Sequence, residues 1–215
     1  MDRPTLYIAN KNYSSWSFRP WMALTGAGVD FEEVLIPFDD AGGNPNIKAI
    51  SPSGRVPVLQ HGGLKIWESL AIIEYTAELY PDAGLWPRDR AERALARSVS
   101  MEMLSGFRAL RNACPMNIRR PKGGIALPDG VDADVGRIDT IWRDLLQKSG
   151  GPFLFGAFSG ADAMFAPVVN RFDVYDLVSR EDTLTYVETM KAHPAWREWE
   201  EAARAEPWIV AEDEV

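Results

Sequence analysis

A chain of 215 residues with 46% apolar and 25% charged side chains has room for one large or two small domains, and its globular composition excludes a disordered tail protein or a fibre. Lys and Arg number 23 against 31 Asp and Glu, and the resulting charge of −8 argues against a nucleic-acid groove or a polybasic membrane surface as main partner. The apolar runs fall far short of the ~20 residues a bilayer needs, the single Cys114 rules out an internal disulfide, and His61 and His193 are too few for a multi-histidine metal site. Met1-Asp2-Arg3-Pro4 leads straight into a strand-like stretch with no apolar targeting segment, so a cytoplasmic protein with nothing removed is expected.

In chain order, Thr5–Ala9 is short and β-prone, and Asn10–Ser17 reads as a polar loop. Phe18, Trp21, Met22 and Thr25 follow at helical spacing, with Gly26 and Gly28 as stops. Phe31–Ile36 is a second strand halted by Pro37, so strand, helix and strand form a βαβ unit with parallel strands. A loop with Asp39, Asp40, Gly42, Gly43 and Pro45 leads to a short helix over Asn46–Ile50. Val56–Gln60 and Leu64–Trp67 flank His61-Gly62-Gly63 as a hairpin. Ser69 opens a helix carrying Leu70, Ile73, Ala77 and Tyr80 on one stripe, ended by Pro81. Residues 1–81 therefore read as a compact α/β domain, and 82–87 as a linker. Residues 88–215 read as all-α: one long helix over Asp89–Ala113, then Asp132–Lys148, Ala161–Val178, Thr183–Lys191 and Pro194–Ala205.

Three local features carry chemistry. Ser14, Ser15 and Ser17 lie between strand one and helix one, where ligands meet helix N-termini in α/β sheets. With Ser17 as N-cap, Pro20 falls at the third helical position and Ser14 and Ser15 keep free hydroxyls; all three serving as caps and turn formers is the alternative. Proline in Val56-Pro57 confines its run to an edge or bulge and suits a cis bond, leaving the Val56 backbone to pair with an extended peptide or simply protecting an edge. Ser69 and its helix N-terminus suit a carboxylate, with Glu68 beside them for an ammonium group, although an ordinary cap explains Ser69 equally well.

Together, Ser14-Ser15-Trp16-Ser17-Phe18-Arg19, Arg55-Val56-Pro57-Val58-Leu59 and Trp67-Glu68-Ser69-Leu70-Ala71-Ile72 resemble the glutathione transferases, particularly the serine-type bacterial and zeta-like branch. Ser159-Gly160-Ala161-Asp162-Ala163-Met164 looks like the helix-capping segment of that family, and Asp162 also fits an aspartate version of the capping box. The resemblance implies a thioredoxin-like N-terminal domain, an all-α C-terminal domain, a homodimer, glutathione as cosubstrate and a small electrophile as second substrate. By position it implies Ser14, with Ser15 second, as hydrogen-bond donor to the glutathione sulfur, acting as donor and not as nucleophile. It pairs the Val56 backbone, before a cis Pro57, with the cysteinyl residue, sets Glu68 and Ser69 on the γ-glutamyl end, and brings Lys48 and Arg55 to the glycyl carboxylate or the solvent edge.

Two departures shape the expected activity. Trp16 stands where zeta-type enzymes carry cysteine, and Trp21 where they carry a second arginine, while Arg19 remains. Conjugation to an electrophile is therefore the leading expectation, with a maleylacetoacetate isomerase-like or peroxide-reducing enzyme and a noncatalytic binding relative as alternatives. Trp16 and Trp21 either shape the second-substrate site or belong to the core. Cys114 reads as a packed thiol, no G-x-S-x-G elbow or triad partner accompanies the histidines, and Glu206–Val215 reads as a solvated tail that in this family can cover the cleft.

Overall fold

The computed structural model describes residues 2–38 and 44–215, so Asp39, Asp40, Gly42 and Gly43 of the expected loop lie outside the described residues. Four strands, β1 (Thr5–Ile8), β2 (Glu32–Leu35), β3 (Val58–His61) and β4 (Leu64–Trp67), form one sheet in the order β2-β1-β3-β4. β1 and β2 are parallel across the helix α1 (Ser15–Gly26), while β3 runs antiparallel to both β1 and β4. α2 (Pro45–Ile50) and α3 (Ser69–Leu79) complete this half. The rest is helical: α4 (Arg90–Ser105), α5 (Arg108–Ala113), α6 (Val131–Ser149), α7 (Gly160–Val174), α8 (Glu181–Ala192) and α9 (Pro194–Ala205). This is the expected architecture of a small thioredoxin-like mixed sheet followed by a helical domain.

The two halves are joined through α1, which packs on α3 on one side and on α7 and α9 on the other. Ser17 through Leu24 are all buried, so α1 is enclosed on every side rather than amphipathic. Phe18 stacks on Trp199 of α9, with ring centroids 4.7 Å apart. At the start of α7 a Cβ on Gly160 would lie 2.9 Å from Ile73 Cγ2 and 3.0 Å from Trp86 Cη2, so only glycine permits this approach of α3, the connecting segment and α7. Leu85 and Trp86 of that segment are buried, and the Gly160 N–H donates to the Leu85 carbonyl. Asp162 closes the capping box by accepting from the Ser159 N–H and hydroxyl, and it also accepts from Leu154 N–H and the Tyr186 hydroxyl.

Four sequence expectations are corrected. First, α1 starts at Ser15 with Ser14 as its N-cap, so Ser17 is inside the helix and Pro20 sits well past the first turn. Proline has no N–H for the carbonyl four residues back, which is that of Trp16. The Ser69 hydroxyl donates to that carbonyl at 3.0 Å and fills the gap. Second, Pro57 precedes β3, and β3 is an interior strand; the edges are β2 and β4. A proline just outside the strand removes no ladder donor, so the edge inference fails. Third, the expected long helix over Asp89–Ala113 breaks into α4 and α5 at Gly106-Phe107, where Phe107 adopts a left-handed φ of 57°. A Cβ on Gly106 would meet the Glu102 carbonyl oxygen at 2.7 Å. Fourth, the segment after α9 is a fastened strap rather than a solvated tail. Glu206 is buried and accepts from the Lys11 and Asn12 N–H groups, and Arg119 donates to the carbonyls of Glu206 and Trp208.

Candidate active site

The loop before α1, the segment leading into β3 and the strap 208–213 enclose a cleft of about 1080 Å³. Ser14, Ser15, Trp16, Arg55 and Val56 all line it. A smaller recess of about 80 Å³ opens beside it, formed by Trp16, Ser53, Arg55, Val56, Pro57 and Glu68. Residues from three separate sequence motifs thus converge on the N-terminus of α1. Lys48 is exposed on α2, its stem close to Gly54, and it does not line either space.

The two serines differ in what they have left to offer. Ser14 is buried as the N-cap: its hydroxyl accepts from Ser17 N–H and donates to Ser17 Oγ at 2.8 Å. Ser17 Oγ in turn accepts from Ala9 N–H at the end of β1, which ties the helix start to the sheet. Ser15 is the first helical residue, half-buried, and its hydroxyl makes no hydrogen bond among the described residues. It faces both the cleft and the neighbouring cavity.

The Val56-Pro57 bond is cis, and no backbone bond of Val56 appears in the sheet ladder. Glu68 is the N-cap of α3 with φ 69° and ψ 129°, a region sparsely used by residues other than glycine and costing ~1–3 kcal/mol. Its side chain is exposed and borders the small recess. Ser69 follows as the first helical residue rather than the cap, fully buried, with its hydroxyl committed to Trp16. Trp16 is therefore held from below by α3.

A second cavity of about 640 Å³ lies on the helical side of Ser15 and Trp16. Its wall carries Arg108 and Arg111 of α5 and Arg171 of α7, with Asp213 of the strap as its acidic residue. Arg111 and Arg19 stack near the Trp16 ring, their guanidinium carbons 5.1 and 4.8 Å from its centroid. Arg19 is fully buried; its Nε donates to the Met164 carbonyl while Nη1 and Nη2 have no partner among the described residues. Burial, then Arg111 and Arg171, push its pKa well below the usual arginine value. Burial and the charge of Arg111 lower Arg171 to about 10, so it remains cationic at neutral pH. Tyr13 lines both spaces, donating to Glu214 at 2.5 Å and accepting from Arg119 at 2.9 Å.

Arg108, Arg111, Arg171, Asp213 and Tyr13 carry no motif, and sequence reading passed over them as site residues. The one signal was the i, i+3 spacing of Arg108 and Arg111, which places them on one helix face. Trp16 belongs to the site, whereas Trp21 belongs to the core, 1% exposed and donating to Glu33. Cys114 is buried and its pKa is raised by that burial. His61 is held between the Tyr75 hydroxyl and the Asp2 carbonyl, and His193 caps α9. Among the described residues, no group of three or more His, Cys, Asp and Glu is placed to hold a metal ion, and no helix is long and apolar enough to cross a membrane.

Residues 13–79 match the family model for the glutathione S-transferase N-terminal domain, and residues 126–202 match that for the C-terminal domain. The maleylacetoacetate isomerase of Rattus norvegicus is 31% identical over 176 residues, 78% of this chain and 77% of its own. Glutathione S-transferase F14 of Arabidopsis thaliana is 33% identical over 187 residues, 79% and 72% of the two chains. Among solved structures, a glutathione transferase homolog from Burkholderia with bound glutathione superposes with a TM-score of 0.74 at 26% identity, covering 95% of this chain and 100% of that one. The chain belongs to the glutathione S-transferase family.

Proposed function

We propose that this protein binds glutathione in the cleft at the start of α1, ionises its thiol, and directs the thiolate at a small electrophile in the adjoining cavity. The observation that carries this reading is the convergence of Trp16, Arg55, Val56, cis Pro57 and Glu68 on one recess beside the Ser15 hydroxyl, which makes no hydrogen bond among the described residues. The Val56 backbone is available to pair with the cysteinyl residue, and Glu68 with the α3 N-terminus suits the γ-glutamyl ammonium and carboxylate. Arg55, which borders both cleft and recess, suits the glycyl carboxylate, with Lys48 at the solvent edge.

Ser15, rather than Ser14, donates to the sulfur in this reading, because the Ser14 proton is already given to Ser17. A free thiol with pKa ~8.5 is only a few per cent ionised at pH 7. A hydrogen bond to a charged group contributes ~1.5–3 kcal/mol, which lowers the thiol pKa by roughly one to two units. The N-terminus of α1 adds ~0.3–1 kcal/mol. The sulfur then forms its bond to the electrophilic carbon while the leaving group, or the π pair of an activated alkene, departs from that carbon. No general base is required.

The cavity arginines favour an electrophile that bears an acid group. Tryptophan rather than arginine at position 21 argues against a diacid isomerase substrate in the sequence, but Arg108, Arg111 and Arg171 supply positive charge from the helical domain. They support as the second reading a glutathione-dependent isomerase acting on an alkene with a single acid group, in which the thiolate adds to a conjugated double bond and leaves after rotation. Exposed Leu64 and Trp67 on edge strand β4, with Leu95 and Met101 on α4, support a homodimer, which light scattering tests. Titration of glutathione into the protein while following thiolate absorbance tests the whole reading: binding with a thiol pKa near 7 is expected, and absence of binding overturns it.

A further inference from the structure

The acceptor cavity carries a charge that the chain only partly balances. Arg108, Arg111 and Arg171 line it, and none of the three forms an ion pair among the described residues. Arg171 is 4% exposed; its Nε and Nη1 donate to the Cys114 and Pro167 carbonyls, and Nη2 has no protein acceptor among the described residues. Arg111 donates through Nη1 to the Leu104 and Gly106 carbonyls. Facing them is Asp213, at the end of a 3₁₀ turn over Ala211–Asp213.

The position of Asp213 is imposed by its neighbours. Arg119 donates to the Trp208 carbonyl at 2.6 Å, the Tyr13 hydroxyl to Glu214 at 2.5 Å, and Asn117 Nδ2 to Glu214 at 3.1 Å. The Asp213 carboxylate itself has no hydrogen bond or ion pair among the described residues. Burial raises its pKa, the charge of Arg171 lowers it, and the neighbouring Glu212 and Glu214 raise it, which leaves it above the ordinary carboxylate value.

We propose that Asp213 is the specificity-determining residue of this cavity, an internal carboxylate that makes it prefer electrophiles with one acid group over those with two. The proposal rests on the glutathione reading above. Three arginine charges face one aspartate; with the glutathione thiolate in place, a single positive charge remains, which one carboxylate matches. A second carboxylate on the substrate meets Asp213 instead of a free guanidinium.

Dimethyl fumarate, monomethyl fumarate and fumarate share one skeleton and carry none, one and two acid groups. In each, the thiolate sulfur bonds to an alkene carbon, the π pair moves to the neighbouring carbon, and that carbon takes a proton from water. Measuring kcat/KM for the full chain and dividing variant by wild type cancels the intrinsic reactivity of each ester. Asp213→Asn is expected to raise the fumarate-to-monomethyl fumarate ratio about tenfold, the scale of one charge–charge contact in a partly wet site. Arg108→Gln moves the ratio the opposite way. Glu212→Gln, which removes the same charge from the same turn but lines the cleft and not this cavity, shifts it less than twofold. A flat ratio in Asp213→Asn with normal calorimetric binding of glutathione overturns the role of Asp213 alone, as does an equal shift in Glu212→Gln. Failure of the wild type to bind glutathione overturns the glutathione reading and this proposal with it.

Discussion

The cleft proposed for glutathione and the cavity proposed for the second substrate meet at Ser15 and Trp16, yet they are built by different means. The cleft is framed by short segments whose backbone is fixed locally: a helix start capped by Ser14, a cis bond before β3, and a positive-φ residue before α3. The cavity is framed by long arginines on α5 and α7, and it shares with the cleft the strap from the far end of the chain, through Asp213. Recognition through the backbone changes only if the fold changes, and here the side chains of Ser15, Arg55 and Glu68 complete it. Side-chain-built recognition can be rewritten one residue at a time, which in the proposed function suits the first region to the common partner and the second to the variable one.

The sharpest way to break this division is at the serines. Ser15→Ala is expected to raise the bound thiol pKa by ~1–2 units and lower kcat/KM at pH 6.5 roughly 10- to 100-fold, with the fold intact. Ser14→Ala should chiefly cost helix capping, ~1 kcal/mol of stability by thermal melting. A larger thiol shift in Ser14→Ala than in Ser15→Ala would reverse the assignment of the donor.

The helical region has its own expected weakness, in the anchor of α7. Burial raises the folded pKa of Asp162 to about 6 from an ordinary value of 3.8, against the four donors that hold it down. The folded state thus binds this proton more tightly than the unfolded one. Its stabilising contribution is full below pH 3.8 and is lost as pH rises through about 6, roughly 3 kcal/mol in all. Denaturant unfolding at pH 4 and pH 7 should show that loss in the wild type and a flatter profile in Asp162→Asn.

Smaller still is the effect expected where the two regions share a hydrogen bond. Ser69→Ala leaves the part-buried Trp16 carbonyl without its hydroxyl donor, costing ~1 kcal/mol. In a Pro20→Ala background the helix regains an N–H for that carbonyl, so the same substitution should cost less. Additive losses in the double-mutant cycle would show that Ser69 does not compensate for the proline. Last in size, Arg108→Gln should lower kcat/KM for monomethyl fumarate several-fold more than for dimethyl fumarate while leaving glutathione affinity unchanged. Equal losses with both esters would remove charge selection from the cavity.

The legibility of the molecule follows the same division. Val56-Pro57 and Glu68-Ser69 were visible because turns and helix starts demand particular residue types within a few positions. The start of α1 was misplaced because Pro20 argues for a first-turn position, and only the Ser69 hydroxyl, 53 residues away, makes it tolerable deeper in the helix. The break between α4 and α5 is not legible in the sequence because Gly106 is one weak signal inside a continuous helical pattern. The strap escaped because an acidic segment reads as solvated until the partners it meets, Arg119, Asn117 and Tyr13, are folded next to it.

By itself the sequence determined the order of strands and helices, the serine, Val-Pro and Glu-Ser motifs, and the lack of long-range cues such as disulfides, because periodicity and turn chemistry are properties of neighbours. Tertiary structure alone decided which serine hydroxyl is committed within the helix start, which cations line the second cavity, and where Asp213 comes to rest. Those depend on hydrogen bonds and charges between residues as far apart as Tyr13 and Glu214, whose meeting no local pattern encodes.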